Sequence, residues 1–274
     1  GGLRMMHDYV SLDHNQRIET PPEDEAVKTD VSMEKLMKQR EGEITRLLED
    51  IRKALSRGGS VLIPVFALGR MQEMLVVLDE ARKNKVLPPT PVFCSGLGMD
   101  LVNHIHQISQ NFNRVHFKRK VLRSLGAQPL PRRLQPGEAL PMRGIYLVSS
   151  GMLVENTPSY MLASSMLGDD RNGLFFVGYC DPSTPGGQLL ETEHGEDFLF
   201  DAIDIRQKVR ASVHRYDLSG HADRDELLAY AEAVSPRKII LHHGDPDARA
   251  WFLQKFKERN LPALDPEPLI EYDV

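Results

Sequence analysis

Cysteine is nearly absent from this 274-residue chain: Cys94 and Cys180 are the only two, and neither belongs to a Cys-x-x-Cys pair. That excludes a disulfide-stapled scaffold and a thiolate zinc site, and predicts two buried free thiols. No apolar run approaches the roughly 20 residues that a membrane-spanning helix requires. Positive charge is not in excess either. The formal net charge is -5, so a site for a polyanion would have to be a local patch. Repeats and low-complexity tracts are missing, which excludes solenoids. The opening Gly1-Gly2-Leu3-Arg4 lacks the basic stretch and apolar run of a secretory leader, so a cytoplasmic location is expected. A start on Gly-Gly without Met reads as a cut chain or an expression scar.

What is present is average soluble composition, 41% hydrophobic and 27% charged, enough for one large or two joined domains. Residues 19 to 30, acidic and proline-bearing, read as a surface connection. From Glu41 the residues Ile44, Leu47, Leu48, Ile51 and Leu55 recur at helical spacing, and Arg57-Gly58-Gly59 is a stop signal. Ser60-Val-Leu-Ile-Pro64 then reads as a buried strand and Ala67 to Arg82 as a helix. Pro91–Cys94, Ile145–Val148 and Leu174–Val177 are further strands, with a helix predicted from about Asp100. Strands alternating with helices predict an α/β layered fold.

Lys118 to Arg143 carries Lys118, Arg119, Lys120, Arg123, Arg132 and Arg133 with four prolines, and reads as a long basic excursion. It is either a solvated loop or a rim that meets phosphates. The last part is a unit of its own: a polar strand over Arg210–Tyr216, a turn at Ser219-Gly220, a helix from Arg224 to Ala233 and an apolar strand over Lys238–Leu241.

The constellation richest in chemistry is Asp217-Leu-Ser-Gly-His221-Ala-Asp223 followed by Leu241-His242-His243-Gly244-Asp245. Glycine before histidine lets backbone approach a ligand, and one helix plus one strand between the two strings could return both to one edge. A histidine at a strand end is either a hydrogen-bonded structural residue or a ligand.

Five strings in order resemble those of the β-CASP group of metallo-β-lactamase-type RNA-processing nucleases. They are Gly58-Gly-Ser-Val-Leu-Ile-Pro-Val-Phe-Ala-Leu-Gly-Arg-Met-Gln-Glu-Met74, Val148-Ser-Ser-Gly-Met-Leu153, Phe176-Val-Gly-Tyr179 with Thr184-Pro-Gly-Gly187, Ser219-Gly-His221-Ala-Asp223 and Leu241-His-His243-Gly-Asp245. The resemblance implies the C-terminal part of a metallo-β-lactamase αββα sandwich carrying an inserted α/β β-CASP domain. Residues 1–40 and 207–274 would belong to the sandwich and 41–206 to the insert.

It also implies a hydrolase that cuts single-stranded RNA, as an endo- or exoribonuclease, with a hydroxide shared by two zinc ions. On that resemblance Asp8 bridges the metals, His243 binds one, and His221 held by Asp30 serves the leaving group. Asp30 has a second reading, as the cap of the following helix. Backbone amides at Ser149, Ser150, Gly151, Ser219 and Gly220 would hold phosphate, and Arg70 would meet phosphate or form a structural ion pair.

The sequence departs from the family pattern at its N-terminal end. It contains no His-x-His-x-Asp-His string, and His104-Ile-His106 offers only a pair. Expectation therefore divides between a piece of a zinc nuclease, paired with a complementary N-terminal half or a second copy, and a non-catalytic RNA-binding or scaffold subunit.

Overall fold

The computed structural model describes residues 26–112, 117–131, 135–218 and 222–272. The chain divides into two compact units, the first through Ser219 and the second from Gly220. In the first unit the described elements are α1 (Ala26–Ser56), β1 (Val61–Pro64), α2 (Arg70–Lys83), β2 (Val92–Cys94), α3 (Gly96–Phe112), α4 (Lys120–Leu125), β3 (Gln128–Pro129), β4 (Ile145–Val148), α5 (Pro158–Met166), β5 (Gly173–Phe176), α6 (Pro185–Glu191), β6 (Asp197–Phe200), β7 (Ile205–Lys208) and β8 (Ser212–Arg215). The second unit holds α7 (Arg224–Val234), β9 (Ile239–Ile240), α8 (Pro246–Glu258) and β10 (Ala263–Leu264).

Six described strands form one sheet in the order β3-β2-β4-β1-β5-β8, every neighbouring pair parallel. β1, β4 and β5 are buried at every position, as parallel strands covered on both faces must be. Side-chain alternation then sorts them between two cores. Val61, Ile63, Cys94, Leu147 and Phe175 face Leu47, Ile51, Leu75, Val102 and Val121 of α1 to α4. Leu62, Phe93, Tyr146, Val148 and Phe176 face Tyr160, Met166 and Leu189 of α5 and α6 and Phe200 of β6. Each fully buried side chain of this size contributes about 1.5–3 kcal/mol.

Helices leaving β1 and β2 thus cover one face and those leaving β4 and β5 the other, although β4 and β1 are neighbours. Between them the winding reverses. In open α/β sheets the crevice outside the carboxyl ends of two such strands is where ligands bind.

The α/β class is as expected, and both cysteines are buried and free. Several boundaries differ. The helix predicted from Glu41 begins at Ala26, so residues 26–30 are helical where a connection was expected, and the element runs unbroken across position 40. Its earlier turns are rich in Lys, Glu and Met, good helix formers without a clean apolar stripe. Residues 19–25 lie outside the described residues. The helix expected from Ala67 starts at Arg70 because Gly69 stands at φ 80°. The basic excursion is not one long loop: Lys120–Leu125 is helical, capped by left-handed Gly126, and Gln128–Pro129 joins the sheet as its edge. An edge strand is where a proline is tolerated. The strand expected over Lys238–Leu241 shrinks to Ile239–Ile240, and Ile240 is 48% exposed rather than buried.

Candidate phosphate and nucleic-acid site

Loops after β1, β2, β4, β5 and β8 all leave at the carboxyl edge of the sheet. The β1 loop, Val65 to Gly69, is tied to its neighbour by the Val65 N–H donating to Val148 O at 2.9 Å. Gln72, fully buried, braces its far end: its carboxamide oxygen accepts from the Gly69 N–H at 2.8 Å, and its nitrogen donates to Ala67 O at 3.0 Å and Gly98 O at 3.1 Å. One side chain therefore ties the β1 loop to the first turn of α3. Gln72 stands inside a sequence motif, but burial is not legible from one polar residue on a helix, so the sequence assigns it no role.

The β4 loop carries the expected amide donors. The Ser149 N–H already donates to Ser95 Oγ at 3.4 Å. Ser159, at the start of α5, donates its N–H to Ser149 O at 3.1 Å and its hydroxyl to Ser150 O at 2.7 Å. Fixing the Ser150 carbonyl toward α5 turns the other end of that trans peptide, the Gly151 N–H, the opposite way. Gly151 is closely approached: a Cβ there would stand 3.1 Å from the ring of Phe66 and 3.2 Å from its backbone nitrogen, so a side chain would require the Phe66 segment to give way. The β5 loop is stitched alongside, with the Gly186 N–H on Met152 O at 2.9 Å and Thr184 capping α6.

Arg70 forms an ion pair with Glu73 one turn along α2, and Arg40 of α1 pairs with the same carboxylate. The Arg70 side chain is only 13% exposed. Burial, reinforced by the neighbouring Arg40 charge and opposed by Asp217, pushes its pKa down to about 10. Of the two readings of Arg70, the ion pair is present in the geometry.

Residues 215–218, which lead into Ser219-Gly220-His221, are fastened to α1. Arg46 donates to Arg215 O at 2.7 Å and lies 4.2 Å over the Tyr216 ring, and the Tyr216 hydroxyl donates to Asp50 at 2.8 Å. Glu43 accepts the Asp217 N–H at 2.8 Å, and Arg40 donates to Leu218 O at 3.1 Å. Asp30 belongs to the same helix, beyond its first residue Ala26, so it is not the helix cap. Asp8, Ser219, Gly220 and His221 lie outside the described residues.

The fastening is sensitive to acid. Hydrogen bonding by Arg46, against the opposing effect of burial and aided by the Asp217 amide, holds the Glu43 carboxyl below its ordinary range. A depressed carboxylate contributes stability above its unfolded pKa of about 4.3 and loses it as pH falls through the folded value. Wild type should therefore melt higher than Glu43→Gln at neutral pH, and the two curves should converge below about pH 4. Melting curves that stay parallel down to strong acid would contradict this.

In the second unit Asp223 caps α7, its carboxylate accepting from Asp225 N at 2.9 Å and Glu226 N at 2.8 Å while Glu226 accepts the Asp223 N–H. His242 and His243 follow β9 rather than lying on it. Strand alternation therefore does not send their side chains to opposite faces, and their rings meet edge to face at 4.4 Å between centroids. His243 sits at φ 69° and both rings are exposed. A catalytic zinc needs three protein ligands. Among the described residues no group of three His, Cys, Asp or Glu is placed to hold an ion, so these donors do not by themselves fit a zinc.

Two family profiles match the chain: "Beta-Casp domain" over residues 71–189 and "Zn-dependent metallo-hydrolase RNA specificity domain" over residues 206–264. The chain belongs to the β-CASP family of metallo-β-lactamase-fold RNA nucleases. It is 32% identical over 219 residues to the transcription termination factor FttA of Thermococcus kodakarensis, covering 73% of this chain and 32% of that protein. It is 27% identical to the RNase aCSPSF2 of Saccharolobus solfataricus, over 80% of this chain and 42% of that one. The Integrator complex subunit 11 homolog of Dictyostelium discoideum is 26% identical, over 76% and 29%. The chain thus spans about a third of the length of the termination factors it matches. No helix among the described residues is long and apolar enough to cross a membrane.

Proposed function

We propose that this chain serves a zinc-dependent hydrolase that cleaves RNA phosphodiester bonds, by providing the surface that grips single-stranded RNA and part of the catalytic face. In this reading residues 41–206 are the β-CASP insert, while 1–40 and 207–274 belong to the metallo-β-lactamase-like domain. The observation that carries it is the carboxyl-edge crevice between β4 and β1, where the Ser149–Gly151 amides meet the Phe66-to-Arg70 loop, in a chain matched by an RNA specificity domain. Backbone amides hold phosphate oxygens without adding charge, which suits a protein of net charge -5. Ser219 and Gly220 supply further amides and Arg70 faces phosphate from within its ion pair. His221, oriented by Asp30, delivers a proton to the leaving oxygen. Asp8 and His243 are the metal ligands of this reading, and its cellular site is the cytoplasm. The bound ion would supply the attacking hydroxide.

A second reading is a non-catalytic RNA-binding or scaffold subunit of an RNA-processing complex: a relative named as a complex subunit supports the assembly, and the incomplete ligand set among the described residues supports the lack of catalysis. A second copy or a complementary N-terminal half is the partner that either reading would use.

The 274-residue chain should bind single-stranded RNA with an affinity that falls steeply as salt is raised. It should hold less than one zinc and cut no RNA, because it offers too few ligands to replace the ion's water. Elemental analysis after dialysis, a cleavage assay and native mass decide this. Two tightly held zincs with cleavage would overturn the ligand assignment, and absence of RNA binding would sink both readings.

A further inference from the structure

Four consecutive strands, β4-β1-β5-β8, send their following residues out at one edge. At a strand spacing of about 4.8 Å the row is about 14 Å across. In order it presents the Ser150-Gly151 peptide, Phe66, Tyr179 and, from the last residue of β8, Arg215, whose backbone is in register with Phe176. Phe66 is 42% exposed and Tyr179 55% exposed, although large aromatic rings are ordinarily withdrawn from water. Phe66 is not a loose side chain, since its ring packs on Gly151, the residue whose amide faces away from α5. Arg215 is exposed too, and its backbone is held in place by Arg46. Its charge reaches Cys180, the residue after Tyr179. Of the carboxylates on this side, Asp181 is engaged by Ser183, and the Asp217 charge acts on Arg40 and Arg70.

Amide, ring, ring, cation is the order of groups that a single strand of nucleic acid can use: phosphate oxygens on the amide and the guanidinium, and π-faces on the rings. Every base has such a face, so stacking is tolerant of sequence, and a duplex cannot offer it because its bases are already stacked. Stacked nucleotides lie about 3.4 Å apart, so more than one fits along the row. We propose that Phe66 and Tyr179 form a base-stacking platform for single-stranded RNA, with Arg215 taking a phosphate at its far end. The proposal rests on the RNA reading above and adds to it the residues that distinguish unpaired bases from bare backbone. Exposed Leu68, Leu97 and Val154 continue the rim toward β2 on the other side; a protein partner covering the whole rim is the competing occupant.

The test is a binding titration of the whole chain with a short single-stranded homopolymer RNA and with the same ribose-phosphate backbone lacking bases. Wild type should prefer the base-bearing strand. Phe66→Leu and Tyr179→Leu should each weaken that strand by roughly 5- to 150-fold while leaving the abasic strand unchanged. Phe66→Trp and Tyr179→Phe, which keep a π-face, should retain affinity, and this separates stacking from misfolding. Arg215→Ala should weaken both strands and lower the salt slope by about one. Leu97→Ser should change neither; if it weakens RNA as much as the aromatic variants do, the platform is a general apolar rim and the proposal fails. Salt-dependent binding that is equal for the two strands would overturn the platform and leave the RNA reading standing. No binding of either strand would remove the reading beneath it.

Discussion

Gln72→Leu should lower stability by about 2–4 kcal/mol, a large share of the 5–15 kcal/mol that separates a typical native domain from its unfolded chain. The side chain is fully buried and bonds to three backbone groups: the Gly69 N–H, Ala67 O and Gly98 O. Gly98 O lies in the first turn of α3 and keeps its helical partner, whereas the Gly69 N–H and Ala67 O lose theirs at about 1–3 kcal/mol each, since leucine satisfies neither. The loss should also reach function, since those bonds set the path of the loop after β1 against α3. Gln72→Glu separates the two directions of hydrogen bonding. A carboxylate still accepts from Gly69 but turns negative oxygen on two carbonyl oxygens, so this variant should be unstable at neutral pH. It should recover in part on acidification, because a protonated carboxyl donates once. Chemical denaturation decides the matter. If Gln72→Leu unfolds within about 1 kcal/mol of wild type, a difference too small for two orphaned groups, the brace has been misjudged.

The second large effect concerns the histidines. When the histidine-rich segment that this sequence does not contain is supplied, by fusion or co-expression, and cleavage is observed, His221→Ala should slow it by roughly a hundredfold to ten-thousandfold. That is the usual consequence of removing a general acid. Metal content should be untouched. Asp30→Ala should resemble it, and the double variant should be no worse than either single one, because an acid and the carboxylate that orients it act as one unit. His243→Ala should lower metal content together with rate. His221→Ala stripping the metal would exchange the two roles. A silent Asp30→Ala beside a damaging His221→Ala would remove the orienting role from Asp30.

Much of the layered fold was legible because local pattern carries it. Val61–Pro64, Ile145–Val148 and Gly173–Phe176 are short branched or aromatic runs between turn signals, and each became a strand buried on both faces. The helix expected from Arg224 starts there, with Asp223 and Glu226 forming its capping box. The motif strings at 148–153 and 176–187 proved to be loops at strand ends, where their glycines admit close approach: Gly186 to Met152 and Gly151 to Phe66. The start of α1 was illegible for a corresponding reason. Its first turns lack the apolar stripe that announces a packed helix, so the charged residues around Ala26 looked like connection.

The amino-acid sequence by itself determined the kind of the central strands and of the helices between them, and the family, because periodicity, turn chemistry and motif order are properties of neighbours along the chain. Only the tertiary structure decided the strand order β3-β2-β4-β1-β5-β8, and with it which loops share an edge. It decided that Gln72 is a brace, that Arg70 is paired with Glu73, that residues 215–218 are tied to α1, and that Phe66 lies against Gly151. The physical reason is that, apart from the local Arg70–Glu73 pair, these contacts join distant residues, 26 positions apart for Gln72 and Gly98 and 169 for Arg46 and Arg215. Burial on both faces of a sheet, not any local preference, selects which strands become neighbours.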